Sequence, residues 1–299
     1  MQKKIVVLGS INQDLVIQLD RIPLPGETLF GNTLHYFAGG KGSNQAIAAK
    51  KLGGDVIFLG KVGDDPFGNN LRNYLRGLGL DQHIRIVPGA TGTAVINVDK
   101  QGENAISVIA GANSFFDLGD LEILSSLTAG DILLLQNEIN VPVIYAAIEA
   151  AHDRGILVYY NPAPAIAIPD EIAGLCDCIL VNEHELQICF RLAPREYRDD
   201  GLDELLLQLS GNYNTTLVLT LGRRGSKAAE KGRIINSPAI PVVAVDTTGA
   251  GDCFCGALVA HISRGNALEA SLDFANKAAA LSVTKMGASG SFPLLGEVL

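Results

Sequence analysis

The sequence has no run of lysine and arginine, and its formal net charge is −9. A surface built for a nucleic-acid backbone or an anionic membrane is therefore excluded, and an anionic ligand needs a local pocket. No stretch approaches the roughly 18 consecutive apolar residues of a membrane-spanning helix. The apolar start, MQKKIVVLGSINQDLVIQLD, breaks at Gly9-Ser10 and then alternates. That is too early for a secretory leader, so the segment reads as a first buried strand and the chain as cytosolic. The five cysteines, Cys176, Cys178, Cys189, Cys253 and Cys255, lack the C-x-x-C spacing of zinc ribbons and redox sites. Their C-x-C pairs lie about 200° apart if helical and read as small buried hydrophobes. His184-Glu185 opens like a zinc-protease helix, but Ile188 stands where the second histidine must be. Internal repeats and low-complexity segments are also lacking.

What remains is a chain of 299 residues, 47% hydrophobic and 18% charged, suited to one large packed core. Short apolar, β-branched runs at 5–8, 56–59, 132–135, 157–160, 178–181 and 217–221 show no polar alternation, as expected of strands covered on both faces. Helical patterns at 44–51, 66–78, 141–154 and 251–264 separate them, which predicts a doubly wound, mostly parallel α/β sheet flanked by helices. Residues 14–37 and 91–109 break the rhythm with alternating strands and turn residues. They read as antiparallel hairpins forming a small β lid over the binding edge of the main sheet.

Five glycine-rich or polar segments bear chemistry. In Asp246-Thr-Thr-Gly-Ala-Gly-Asp252, small residues at Gly249, Ala250 and Gly251 free backbone amides at a helix start, where they and the helix dipole attract phosphate. Asp252 then stands where it could take the proton of an attacking hydroxyl, although a capped helix after a glycine turn explains the same residues. Gly39-Gly-Lys-Gly-Ser-Asn44 is a second such turn. It is not a Walker A loop, and it offers Lys41 and Asn44 to a polyol or marks a capped helix start. Asn12 and Asp14 follow the first strand, at the edge where open α/β sheets bind ligands; an Asx turn is the alternative. Asn182-Glu-His-Glu185 follows another strand and suits Mg²⁺ held through water, or a solvated helix start. Thr220-Leu-Gly-Arg-Arg-Gly225 is a flexed turn compatible with nucleotide contact.

In this order these segments resemble the ribokinase family of carbohydrate and nucleoside kinases, also called PfkB-type. So do the stretches Val7-Leu-Gly-Ser-Ile-Asn12, Pro25-Gly-Glu-Thr28, Ala110-Gly-Ala-Asn113, Gln136-Asn-Glu138 and Asn161-Pro-Ala-Pro164. The resemblance spans essentially the whole chain and implies a single kinase domain over 1–299, with the lid inside it. It implies ATP-dependent phosphorylation of the 5-hydroxyl of D-ribose, with Asp252 as base and Gly249, Ala250 and Gly251 as anion hole. Asn12, Asp14, Gly40, Lys41, Gly42, Ser43, Asn44, Glu138 and Asp252 would hold the sugar. Asn182, Thr220, Leu221, Gly222, Arg223, Arg224, Gly225, Gly251 and Asn276 would line the ATP site. Glu185 would support Mg²⁺ through water, and Asp246, Thr248, Ser282, Lys285, Gly287 and Ser291 would bind an activating K⁺. A homodimer clasped through the β lid is a further implication.

Two positions depart from the family pattern. Asn276 stands where histidine is common, and Arg223 adds charge to the nucleotide loop. A sibling kinase for deoxyribose, fructose or adenosine, and a catalytically silent sugar-binding regulator, share the fold. The set Asn12, Asp14, Lys41, Asn44 and Glu138 favours a small hydroxyl-rich pentose. A nicotinamide enzyme is excluded because Gly9-Ser-Ile-Asn-Gln-Asp14 lacks the later glycines of G-x-G-x-x-G.

Overall fold

A computed structural model describes residues 2–193 and 199–299. In chain order they form β1 (Lys4–Leu8), β2 (Asn12–Gln18), β3 (Thr33–Gly39), α1 (Lys41–Lys51), β4 (Asp55–Gly63), α2 (Pro66–Gly77), β5 (His83–Val87), β6 (Gly92–Val98) and β7 (Asn104–Ile109). The chain continues through β8 (Ile132–Gln136), α3 (Val141–His152), β9 (Leu157–Asn161), α4 (Asp170–Ala173), β10 (Cys178–Asn182), α5 (Glu183–Cys189) and α6 (Leu202–Tyr213). It ends with β11 (Thr216–Thr220), β12 (Ser226–Glu230), β13 (Arg233–Ser237), α7 (Ala250–Ser263), α8 (Leu268–Ser282) and α9 (Leu295–Val298).

The large sheet runs β13-β12-β11-β10-β9-β8-β1-β4-β5, with β12 and β13 antiparallel at one edge and the other strands parallel. Alternate residues of each strand enter two separate cores. Ile5, Val7, Ile132, Leu134 and Val218 face α1, α7 and α8, whereas Val6, Leu8, Leu133, Leu135 and Leu217 face α3 and α6. This double coverage is why the strand sequences lack polar alternation. After β5 the chain returns to pair β8 with β1 on the side opposite β4. The reversal of direction opens a crevice at the carboxyl ends of the strands, where such sheets bind ligands.

The lid is a second, four-stranded sheet, β3-β2-β6-β7. It consists of the two expected antiparallel hairpins, joined by parallel pairing of β2 with β6 from Asn12↔Gly92 to Gln18↔Val98. Strand β3 passes through Gly40 (φ 89°) directly into α1, so lid and main domain share the turn that opens the binding edge. All five cysteines are buried as free thiols.

Helices α1 and α7 pack at unusually close range. A Cβ on Gly256 would lie 2.5 Å from the Gln45 carbonyl oxygen and 2.6 Å from the Ala48 Cβ. Alanine ordinarily gains up to ~1 kcal/mol over glycine within a helix. Here that gain is smaller than the ~1–3 kcal/mol of overpacking against backbone. Gly256→Ala is expected to lower the melting temperature by several degrees in a thermal scan; an unchanged or raised value would contradict this packing constraint.

Candidate active site

Asp252 lies in the first turn of α7 and is 7% exposed. Both carboxylate oxygens accept hydrogen bonds from α1: Asn44 Nδ2 donates to Oδ2 (2.9 Å) and Gln45 Nε2 to Oδ1 (3.0 Å). A buried charge needs such donors, and two side-chain amides supply them without an ion pair. Gly249, at φ 75°, turns the chain into the helix, and a Cβ there would press on Ala288 at 2.9 Å. Of the three amides expected in the anion hole, that of Ala250 is committed to the Thr247 carbonyl (3.2 Å). Gly251 and Asp252 follow in the first helical turn, whose amides have no partner within the helix.

The glycine turn before α1 serves the fold as well as the site. A Cβ on Gly42 would lie 2.4 Å from the Ser10 nitrogen, so α1 begins in direct backbone contact with the end of β1. Ser43 Oγ bonds back to the Gly39 and Gly40 carbonyls, which makes it a stabiliser of the turn. Glu138 Oε2 accepts from Ser10 Oγ (2.6 Å) and from the Lys41 backbone nitrogen (2.9 Å). Asn113 locks Asn12 by donating Nδ2 to its Oδ1 (2.8 Å) while Asn113 Oδ1 accepts from the Ile11 nitrogen.

Charge is concentrated here. Burial first, then the nearby carboxylates Glu138 and Asp252, pushes the Asp14 carboxyl up to about 7. Lys41 is held above the ordinary ammonium range chiefly by Asp252, with Glu138 and Glu185 adding to the effect. Burial raises Glu185, and Asp252 adds to the rise.

Asn182 and Glu185 form a capping box on α5: Asn182 Oδ1 accepts from the Glu185 nitrogen (2.8 Å), and Glu185 Oε2 from the Asn182 nitrogen (2.9 Å). The reading as a helix start therefore holds, and the same residues line a cleft of about 220 Å³ with Lys41, Thr220, Gly251 and Asp252. Gly222 and Gly225 have positive φ in the turn after β11, and Arg224 reaches Glu183. Beyond that turn a second cavity of about 330 Å³ is lined by Leu221, Arg224, Ser226 and Asn236. Asn276 spends its Nδ2 on Ser226 and Ser237, pinning α8 to the edge hairpin β12–β13.

The six expected cation ligands fall on one segment pair. Asp246 Oδ1 accepts from the Thr248 nitrogen (2.9 Å) and Oδ2 from the Gly287 nitrogen (2.9 Å), so its carboxylate shapes both turns. Ser282 and Ser291 bond their own helical or turn carbonyls, and the Lys285 side chain points to Glu297. Among the described residues, no group of three or more His, Cys, Asp or Glu could hold a metal ion. Sequence reasoning gave no role to Gln45, Asn113 or Asn161. The last two sit in motifs quoted for the resemblance, but only their partners across the fold reveal what they do.

The profile of the pfkB family carbohydrate kinases matches residues 2–294. The ribokinase of Bacillus subtilis is 36% identical over 299 residues, covering 99% of this chain and 98% of the relative. The deoxyribokinase of Salmonella typhi is 35% identical over 297 residues, covering 98% and 96%. A solved structure of Arabidopsis thaliana ribokinase complexed with ribose and ATP superposes with a TM-score of 0.88 at 32% identity, covering 100% of this chain and 98% of that one.

The Asp14 carboxyl keeps its proton up to about pH 7 when folded but releases it near 3.8 when unfolded. Between those values the folded state binds the extra proton, so this group makes stability fall as pH rises. Asp14→Asn is therefore expected to melt at least ~2 °C above wild type at pH 8, the shift for roughly 1 kcal/mol in a chain this size. The difference should vanish near pH 4. Equal melting temperatures at pH 8 would contradict the assigned environment.

Proposed function

The chain belongs to the pfkB family of carbohydrate kinases, and from that premise we propose that it is a ribose kinase transferring the γ-phosphoryl group of ATP to the 5-hydroxyl of D-ribose. The observation that carries this reading is Asp252, a buried carboxylate held by two amides. Asp14, Lys41 and Glu138 are its charged neighbours, and with Lys41 and Gly251 it lines the cleft of about 220 Å³.

Asn12, Asp14, Asn44 and Glu138 orient the sugar, with the backbone at Gly40 admitting its close approach. Asp252 accepts the proton of the 5-hydroxyl as that oxygen forms its bond to the γ-phosphorus and the bond to ADP breaks. The Gly251 amide, Lys41 and the dipole of α7 meet the negative charge that develops. Asn182, the turn 220–225 and Asn276 face the nucleotide. The oxygen donors fit Mg²⁺ held mainly by phosphates and water, with Glu185 reaching it through water. The Asp246 segment and the turn at Gly287 fit K⁺ through carbonyl oxygens. When bound, the two cations would supply positive charge that helps to balance the phosphates. Exposed apolar side chains on the lid, Leu34, Tyr36, Ile106 and Val108, support a homodimer joined lid to lid. Among the described residues no helix is long and apolar enough to cross a membrane, and the reading as an ATP-dependent sugar kinase supports a cytoplasmic location.

The relative that acts as a deoxyribokinase keeps one alternative acceptor open. Measuring kcat/KM over ribose, deoxyribose, fructose and adenosine decides it, and a tenfold preference for any sugar but ribose would overturn the acceptor assignment. Asp252→Asn is expected to lower kcat at least ~10²-fold with ribose binding nearly intact. ADP release with ribose should also fall when K⁺ is omitted.

A further inference from the structure

We infer that Gln45 is a positioning residue for the phosphoryl transfer: it holds the Asp252 carboxylate through an amide chain whose direction is set by the central strands. The inference rests on Asp252 being the base. Gln45 is fully buried at the start of α1 and touches neither cleft nor solvent. Its Nε2 donates at once to Asp252 Oδ1 (3.0 Å) and to Asn161 Oδ1 (3.0 Å).

A side-chain amide can present either its NH₂ or its oxygen to a neighbour, and the difference matters beside a carboxylate. Here the choice is forced from both ends. Asn161, at the end of β9, donates Nδ2 to the Leu180 carbonyl of β10 (2.8 Å), so its oxygen must face Gln45. Gln136, at the end of β8, donates Nε2 to Gln45 Oε1 (2.7 Å), so the Gln45 oxygen is occupied on the far side from Asp252. Gln136 does this while its own Oε1 stays buried with no partner, pressed toward Gly9, where a Cβ would lie 2.2 Å away. An unsatisfied buried acceptor is unfavourable. The alternative orientation would set Gln136 Oε1 against Gln45 Oε1, acceptor against acceptor. The result is a relay of fixed dipoles from a backbone carbonyl of the sheet to one oxygen of the base. Asn44 fixes the other oxygen.

The groups that act electrostatically with Asp252 are Lys41 on α1, Asp14 on β2, Glu185 on α5 and Cys253 and Cys255 on α7. None is altered by a change at Gln45. A donor to the charged form of a carboxylate favours that form, so its removal moves the protonation of the base to higher pH. The decisive measurement is the pH profile of kcat at saturating ribose and ATP, which reports groups in the bound complex, for Q45M, the isosteric Q45E and D252N. Q45M is expected to lower kcat ~10-fold or more, with the KM of ribose and of ATP within ~3-fold, and to move the acid limb up by ~0.5–1 pH unit. Q45E, which places a like charge there, should move it further, and it carries the test alone if Q45M does not fold. A Q45M enzyme with wild-type kcat, or a slower one whose acid limb has not moved, overturns the inference when D252N is impaired. Wild-type turnover by D252N sinks the base assignment itself, whatever the Gln45 variants do.

Discussion

Everything at this site depends on holding one buried carboxylate between the starts of two helices that lie more than two hundred residues apart in sequence. Asp252 is reached from Asn44 and Gln45 across separations of 208 and 207 residues. A buried carboxylate without donors would take up a proton or stay in water. Two neutral amides give it hydrogen-bond donors on both oxygens without adding an opposite charge. That requires α1 and α7 to approach within the reach of short side chains, and glycines make the approach possible. Gly256 lets α7 lie on the backbone of α1, and Gly42 lets α1 begin on the end of β1.

The electrostatic arrangement follows from the same geometry. Four carboxylates, Asp14, Glu138, Glu185 and Asp252, share one neighbourhood with a single lysine, Lys41. The lysine is held charged by them, while Asp14, buried among like charges, holds its proton to near neutrality. A neutral polyol suits such a pocket because its hydroxyls both donate and accept, so they can satisfy carboxylates in either protonation state. The first turn of α7 offers backbone donors and a favourable dipole, which suit an anionic co-substrate.

Several side chains serve both fold and site. Asn182 and Glu185 close the start of α5 as a capping box and still face the cleft. Asp246 shapes two turns with its carboxylate, and Asn276 secures the edge hairpin. These structural duties show why several segments, taken alone, also read as helix caps or Asx turns: the local hydrogen bonds such readings need are present.

The sequence by itself determined the layered α/β class, because strands buried on both faces must be continuously apolar and helices between them must be amphipathic. It also showed glycine-rich turns leading into helices, although α1 begins at Lys41, three residues before the pattern at 44–51; Gly40 and Gly249 there adopt positive φ angles that glycine takes without strain. Asp252, Asn12, Asp14, Lys41 and Asn44 stood out as candidates because polar side chains beside glycine turns can serve a ligand as well as a cap. Tertiary structure alone decided the rest. Whether β2 would pair with β6, that Asn113 fixes Asn12, that the Ala250 amide is committed to its own turn, and that Gln136, Gln45 and Asn161 form a directed chain to Asp252 are all matters of long-range contact. A glutamine in an alanine-rich helix has no local signature of function. Its meaning depends on which of its two amide ends the surrounding strands compel it to turn toward the carboxylate.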